Sequence, residues 1–170
     1  RRNLRSDVPI GIALSGGLDS TGIAHLVKAI EPDLQLRTYS FVAAGSVVDE
    51  SPWIDLALKD LGSDWLGVSP SPADLRCDLD DLIACQGEPF SSTSIYAQYR
   101  VFRLMSESGV VVSLDGQGAD EVFAGYQGYP GLRARSLVET GHPIRALAFL
   151  NNWSEWPGHS WSKAVARTSF

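Results

Sequence analysis

The sequence has 170 residues, of which 44% are hydrophobic and 20% charged, a balance typical of one globular domain or of part of a larger one. Its 14 Lys and Arg oppose 20 Asp and Glu, and the net charge of −6 disfavours binding to nucleic-acid phosphates or to an anionic membrane. Its apolar runs are far shorter than a membrane span. Two cysteines are too few for a disulfide framework, so we expect a reducing, cytoplasmic location.

Strand and helix patterns alternate through the first two thirds of the chain. Short β-rich or apolar runs predict the strands, and apolar side chains that recur three and four residues apart predict the helices. Gly62 and Gly109 follow two of the predicted helices, as expected of residues that end a helix. In chain order we expect a strand at 8–14, a helix at 23–30, a strand at 34–42, a helix at 52–61, a weak strand at 65–68, helices at 72–85 and 94–108, and a strand at 110–114.

The last third of the chain has a different pattern. The strand at 110–114 is apolar, which is typical of a strand buried inside a parallel sheet. Residues 133–150 follow a helical pattern, and residues 151–170 predict an irregular tail. We therefore predict one domain at 1–150, truncated at both ends, and a tail that begins a further helical portion.

This alternation predicts a doubly wound α/β fold, with a parallel sheet and helices on both of its faces. In such sheets, ligands bind at the carboxyl ends of the strands. Two segments rich in glycine and small polar residues, 15–20 and 115–126, follow predicted strands at that edge. They form one site if their strands are neighbours.

The first of these segments contains Ser15, Gly16, Gly17, Asp19 and Ser20. Glycines let backbone N–H groups turn toward an anion, and the start of a helix adds partial positive charge. The serines can donate hydrogen bonds to phosphate oxygens, and the aspartate can hold Mg²⁺ against a phosphate. A plain strand-to-helix turn is the alternative. The segment lacks the Gly-Lys-Ser/Thr of a P-loop and the first glycine of a nucleophile elbow.

Four stretches carry a family resemblance. Residues 15–20 (SGGLDS) resemble the pyrophosphate-binding loop, or PP-loop, of the N-type ATP pyrophosphatases. Residues 114–126 (LDGQGADEVFAGY) are similar to the nucleotide-site loop of glutamine-hydrolysing asparagine synthetases. Residues 88–99 (EPFSSTSIYAQY) and 7–11 (DVPIG) also resemble the synthetase domain of that family. The resemblance covers roughly residues 4–135 and implies a Rossmann-like PP-loop fold.

The resemblance also implies roles for individual residues. It implies a catalytic set of Asp19, Asp120 and Glu121, with Asp19 and Asp120 as the metal-binding acids. Ala43 falls where the family contacts adenine, and Asp115 and Gly116 match the pair beside the nucleotide. The residues that would cradle ATP and its pyrophosphate are Leu14, Ser15, Gly16, Gly17, Asp19 and Ser20.

The implied reaction is an ATP-dependent amide synthesis that uses Mg²⁺. The side-chain carboxylate of aspartate attacks the α-phosphate, pyrophosphate leaves, and ammonia derived from glutamine displaces AMP to give asparagine. Charge builds on phosphate oxygens in both steps, so metal and backbone dipoles should dominate catalysis. The resemblance also allows a homodimer in the complete protein.

Other interpretations stay open. Related cyclases of the β-lactam synthetase or lasso-peptide type share the loop but adenylate a different acid. A non-catalytic nucleotide-binding remnant is another alternative. An α/β-hydrolase would need Ser15, Asp115 and His142 as its triad, but the chain has no His-Gly-Gly-Gly segment to build an oxyanion hole.

The sequence departs from the family in two respects. The glutaminase domain, whose nucleophile is an N-terminal cysteine, is absent from these residues, and so is the family's catalytic lysine. We therefore expect these 170 residues by themselves to make no asparagine. Cys77 and Cys85 are expected to be small core residues, and Arg100 could reach an acidic substrate. Three lysines match no family position: Lys28, Lys59 and Lys163.

Overall fold

A computed structural model describes residues 2–126, 128–156, 158–161 and 163. The chain divides into two compact units, the first ending at Gly116 and the second beginning at Gln117. The first unit contains a 3₁₀ turn at Arg2–Leu4, strands β1 (Ile10–Ala13), β2 (Arg37–Phe41), β3 (Asp64–Val68) and β4 (Val112–Leu114), and helices α1 (Leu18–Ile30), α2 (Ser51–Leu61), α3 (Pro72–Gln86) and α4 (Ser94–Glu107). The second unit contains helices α5 (Ala119–Phe123), α6 (Tyr129–Glu139) and α7 (Pro143–Ser154).

The four strands of the first unit form one parallel sheet in the order β3-β2-β1-β4. Strand β1 lies between β2, where Gly11 pairs with Arg37, and β4, where Ile10 pairs with Val112. The carboxyl ends of β1 and β4 therefore lie side by side. The strands that precede the two glycine-rich segments are thus neighbours, so the two segments begin at one site.

Helices cover both faces of the sheet. On one face, Ile12 and Leu14 of the β1 segment pack with Ala24 of α1 and Ile54 of α2, and all four are almost fully buried. On the other face, the buried Tyr39 of β2 packs with α4 and with the residue that leads into β4. Because helices lie on both sides of a parallel sheet, the doubly wound α/β prediction is confirmed.

Local sequence signals fix the ends of the helices. Before α3, the Asp74 N–H donates to Ser71 Oγ (3.2 Å), and the Ser71 N–H donates back to Asp74 Oδ2 (2.7 Å). This reciprocal pair is a capping box, and Pro72 occupies the first turn where no N–H is needed. Gly62 ends α2 at φ +58°, as the sequence predicts.

Three sequence predictions need correction. Strand β4 forms the edge of the described sheet, and Val111 beside it is 71% exposed, so this strand is not buried inside the sheet. The helix predicted at 133–150 is two helices, because Gly141 turns at φ +78° and Pro143 begins a new helix. Cys77 and Cys85 are exposed on α3 rather than buried.

The predicted tail and domain boundaries have mixed outcomes. Helix α7 continues to Ser154, so the first residues of the 151–170 tail are helical rather than irregular. Residues 157, 162 and 164–170 lie outside the described residues. The 1–150 domain stays a prediction. Within the described ranges, no helix is long and apolar enough to cross a bilayer.

Candidate functional site

A chain of hydrogen bonds through β2 and β3 holds the carboxyl end of β1. The Leu14 N–H donates to the Tyr39 carbonyl (2.8 Å), and the buried Ser40 hydroxyl donates to the Leu14 carbonyl (2.6 Å). The indole Nε1–H of Trp65, on β3, donates in turn to Ser40 Oγ (3.0 Å). Each polar atom in this short chain has a partner, so the point where the chain leaves the sheet is fixed.

Residues 15–20, called the glycine loop below, are closed by hydrogen bonds of their own. Ser15 Oγ lies 3.0 Å from Ser20 Oγ and accepts from the Gly17 N–H (3.2 Å). The Ser15 N–H donates to Ser20 Oγ (3.2 Å), and that buried hydroxyl lies 3.3 Å from the Gly17 carbonyl. The two serines therefore shape the loop, and the exposed Ser15 also presents a hydroxyl at its surface.

Gly16 has to be glycine for two reasons. Its φ is +78°, in the left-handed region that L side chains rarely adopt. A Cβ built there would lie 2.7 Å from Trp53 Cβ and 2.8 Å from the Ile54 backbone nitrogen, both in α2. The backbone of the glycine loop thus presses directly against the backbone of α2.

Helix α1 starts inside the glycine loop. Gly17 is its N-cap residue and supplies no side-chain hydrogen bond, so the helix start has no side-chain cap. The N–H groups of the first turn have no partner within a helix, and the helix dipole adds partial positive charge there. Leu18 is 89% exposed and Asp19 is half-buried at this end. The end of α1 therefore offers donors to an anion and a carboxylate beside them.

The second glycine-rich segment meets the glycine loop at Gly116. A Cβ on Gly116 would lie 3.1 Å from Asp19 Cβ and 3.3 Å from the Ser20 backbone nitrogen. Asp115 and Gly116 directly follow β4, the neighbour of β1. The first unit therefore brings the predicted residues Leu14 to Ser20 together with the Asp115–Gly116 pair. A side chain at Gly116 would require α1 to shift by a few tenths of an ångström.

Ala43 follows β2 at the same edge of the sheet, and the loop after it is organised by Asp49. The Asp49 carboxylate accepts from the Ser51 hydroxyl (2.6 Å), the Ser51 N–H (3.0 Å) and the Gly45 N–H (3.1 Å). These bonds, that of the Ser51 hydroxyl foremost, hold the pKa of Asp49 below its usual range. Sequence reasoning missed this residue, although an aspartate two residues before the serine of a Ser-Pro helix start is a recognisable turn signal.

Arg100, a candidate to reach an acidic substrate, is engaged within the first unit. Its Nη1 donates to Asp78 Oδ2 (2.6 Å), Arg103 Nη1 donates to Asp78 Oδ1 (2.8 Å), and the Tyr96 hydroxyl donates to Oδ2 (2.8 Å). Burial raises the pKa of Asp78, but the bonds from Arg100 and Tyr96 and the two positive charges outweigh it, so the net pKa is lowered. Burial and the bond to Asp78 raise the pKa of Tyr96 to about 12. This cluster joins α3 to α4.

Asp120 and Glu121 belong to the second unit and lie in the first turn of α5. Gly118 precedes the helix at φ +85°. The Tyr126 hydroxyl donates to Glu121 Oε1 (2.8 Å), and this hydrogen bond raises the pKa of Tyr126. The Gly125 N–H donates to the backbone carbonyl of Asp120 (3.0 Å). Asp120 is half-buried, whereas Glu121 is exposed.

The other candidate side chains have local partners. The Ser15 hydroxyl bonds within the glycine loop, and the His142 ring lies 3.4 Å from Thr140 Oγ1, so neither shows the pairing that a hydrolase triad requires. Among the described residues, no group of three or more His, Cys, Asp or Glu is placed to hold a metal ion.

Comparison with known protein families identifies the family to which the chain belongs. The family model described as asparagine synthase matches residues 1–169. The chain belongs to the asparagine synthase family. This family membership agrees with the parallel sheet and with the glycine loop at the carboxyl end of β1.

The chain is similar to curated relatives from different organisms, two of them named asparagine synthetases and one named an amidase. Putative asparagine synthetase (glutamine-hydrolyzing) 2 of Methanocaldococcus jannaschii is 33% identical over 123 residues, which are 72% of this chain and 24% of the relative. Asparagine synthetase (glutamine-hydrolyzing) 1 of Bacillus subtilis is 33% identical over 128 residues, 75% of this chain and 20% of the relative. Amidase chry2 of Gibberella zeae is 28% identical over 161 residues, 86% of this chain and 23% of the relative. The chain thus spans about a quarter or less of these relatives.

Proposed function

We propose that the chain forms the nucleotide-binding part of an enzyme that uses ATP to convert aspartate to asparagine. One observation carries this proposal: Gly116, at the end of β4, lies against Asp19 in the first turn of α1, where the glycine loop leaves β1. A helix start without a side-chain cap, a glycine loop and a carboxylate thus converge at one edge of a parallel sheet. This combination suits the triphosphate of a nucleotide.

Different residues of the first unit would bind different parts of the nucleotide. Backbone N–H groups in the first turn of α1 would donate to the phosphate oxygens, and the exposed Ser15 would add a hydroxyl donor. The Gly17 N–H and the buried Ser20 hydroxyl, which bond within the glycine loop, would bind phosphate once it replaces those bonds. Leu14 and Gly16 would hold the loop in place, and Ala43 would border the adenine. Asp115 and Gly116 would close the other side of the nucleotide. These donors would stabilise the charge that develops on the phosphate when the aspartate carboxylate attacks it.

Mg²⁺ fits this arrangement as a partner of the nucleotide. Magnesium is usually bound by one or two carboxylates together with substrate phosphates, and it keeps several waters. The absence of a larger acidic cluster among the described residues is compatible with this mode. Asp19 would supply one carboxylate, and Asp120 is proposed as the second metal- or substrate-binding acid, with Glu121 beside it. The ion would neutralise charge on the phosphate oxygens.

The source of nitrogen and the setting of the reaction are also part of the proposal. Two of the relatives carry the words glutamine-hydrolyzing in their names, which supports ammonia from a glutaminase domain. A homodimer is proposed for the complete protein. A reducing, cytoplasmic location is supported by two exposed cysteines that form no disulfide, Cys77 and Cys85.

The acid that accepts the nitrogen has an alternative. Cyclases of the β-lactam synthetase or lasso-peptide type, which adenylate a different acid, give the second candidate substrate; amidase chry2, a relative that is not named an asparagine synthetase, matches 86% of this chain. The same phosphate-binding residues would serve either acid, because they contact only the nucleotide. Turnover measured with aspartate and with other acids separates the two.

Asp19→Asn tests the binding role of the glycine loop in the full-length protein. The substitution keeps the shape of the side chain and removes its charge, and we expect binding of Mg·ATP and of Mg·pyrophosphate to weaken at least tenfold, about 1.4 kcal/mol. Asp60→Asn, on the exposed face of α2, is the matched control and should leave binding unchanged. Isothermal titration that gives equal affinities for both variants would contradict the assignment.

A further inference from the structure

A short reversal of the chain follows α5 and returns it to the start of that helix. Ala124 ends α5 at φ +57°, and the Gly125 N–H donates to the Asp120 carbonyl (3.0 Å). This left-handed turn is a common way to end a helix, although glycine rather than alanine usually occupies it. This turn places Gly125 next to Asp120, which lies five residues earlier in the sequence.

The side chain of Asp120 occupies the space that a side chain at position 125 would need. A Cβ on Gly125 would lie 1.9 Å from Asp120 Oδ1 and 2.9 Å from its Cγ. The φ of Gly125 is not in the left-handed region, so φ does not require glycine at this position. The Asp120 carboxylate is therefore the main obstacle to a side chain here, and the Asp120 Cα, 3.3 Å from the built Cβ, is a lesser one.

The neighbouring acid has a different arrangement. Glu121 is exposed, and its Oε1 accepts a hydrogen bond from Tyr126, the residue after Gly125. In the described part of the chain, no hydrogen bond or ion pair occupies the Asp120 carboxylate. The reversal after α5 therefore contacts both acids, one by close approach and the other through a hydroxyl.

We propose that Gly125 is a positioning residue for Asp120, which holds its carboxylate in the rotamer that binds metal or substrate. This inference rests on the proposed function, because it assumes that the Asp120 carboxylate binds metal or substrate. A side chain as short as that of aspartate can rotate away from an added methyl group. Gly125→Ala should thus leave the fold nearly intact but turn the carboxylate out of place, and small misplacements of reacting groups are costly.

The test compares Gly125→Ala with Gly128→Ala in the full-length enzyme. Gly128 has φ −78° and nothing within 4 Å of a built Cβ, so its substitution is a matched control in the same unit. Pyrophosphate release is measured with ATP, Mg²⁺, aspartate and ammonium chloride, together with the thermal unfolding midpoint. We expect Gly125→Ala to lower kcat at least tenfold at an almost unchanged midpoint, and Gly128→Ala to alter neither quantity.

Asp120→Ala separates this inference from the proposed function. If Asp120→Ala is impaired and Gly125→Ala is as active as the control, the positioning role is overturned and the proposed function stands. Normal activity in both variants overturns the positioning role together with the assignment of Asp120. An active Asp120→Ala beside an impaired Gly125→Ala means that Gly125 acts by another route. A large fall in the midpoint of Gly125→Ala shows a purely structural role. The last two outcomes also overturn the proposal.

Discussion

Gly16→Ala is the most informative change in the glycine loop, because the added atom would meet backbone rather than a movable side chain. The built Cβ lies 2.7 Å from Trp53 Cβ, 2.8 Å from the Ile54 nitrogen and 2.9 Å from the Trp53 carbonyl carbon. These atoms belong to α2, whose Ile54, Ala57 and Leu61 are buried in the core. Either the loop or the helix must move to accept one methyl group.

The size of the effect follows from two contributions. The left-handed φ of +78° costs an L residue about 1 kcal/mol, and overlap in a packed region costs about 2 kcal/mol, so we expect about 3 kcal/mol of lost stability. Gly22→Ala is the matched control, since Gly22 lies inside α1 with nothing within 4 Å of a built Cβ. That substitution should stabilise the protein by about 1 kcal/mol, because alanine is the better helix former.

Urea unfolding followed by circular dichroism measures both variants against the wild-type protein. The two free energies of unfolding should differ by about 4 kcal/mol in favour of Gly22→Ala, at equal m-values. Binding of Mg·ATP should also weaken in Gly16→Ala at urea-free conditions, because the loop is displaced. A Gly16→Ala protein as stable as wild type would refute the close packing of the loop against α2.

Three further substitutions test contacts around the site. Ser40→Ala should cost about 1–3 kcal/mol in urea unfolding, because the Leu14 carbonyl and the Trp65 indole lose their shared partner; a loss below that range would argue against the chain of bonds at the end of β1. Asp78→Asn should be less stable than wild type at pH 7. Because the pKa of Asp78 is lowered, the difference in free energy of unfolding should be complete above about pH 4 and should shrink as acid protonates the wild-type carboxylate. A difference that does not depend on pH would contradict the charge cluster. Ala124→Gly should raise stability by about 1 kcal/mol, because Ala124 holds a left-handed φ of +57°, and a destabilised variant would contradict that geometry.

The fold could be predicted from the sequence because its signals are local. The run before Ser15 and the alternation of strand and helix patterns were enough to predict a parallel sheet, with the glycine loop at its carboxyl edge. Strand β4 was harder, because an apolar run cannot reveal whether a strand has one neighbour or two. The strand order shows that β4 lies at the edge of the described sheet, and Val111 beside it is exposed.

The contacts that fix the site could not be predicted in this way. Asp78 is one of several aspartates along α3, and its partner Arg100 lies 22 residues further on, so only the packing of α3 on α4 selects it. Ser40 lies within β2 and has no turn or motif to mark it. Gly125 is one of many glycines, and its close approach to Asp120 depends on the left-handed turn at Ala124.

Transfer of an oxygen isotope tests the central proposal most directly. Aspartate labelled with ¹⁸O in its side-chain carboxylate is incubated with the full-length enzyme, ATP, Mg²⁺ and ammonium, and the products are examined by mass spectrometry. If the carboxylate attacks the α-phosphate and ammonia then displaces AMP, one ¹⁸O appears in AMP for each asparagine formed, and the pyrophosphate is unlabelled. Labelled inorganic phosphate with ADP would show attack at the γ-phosphate instead, and would contradict the proposal.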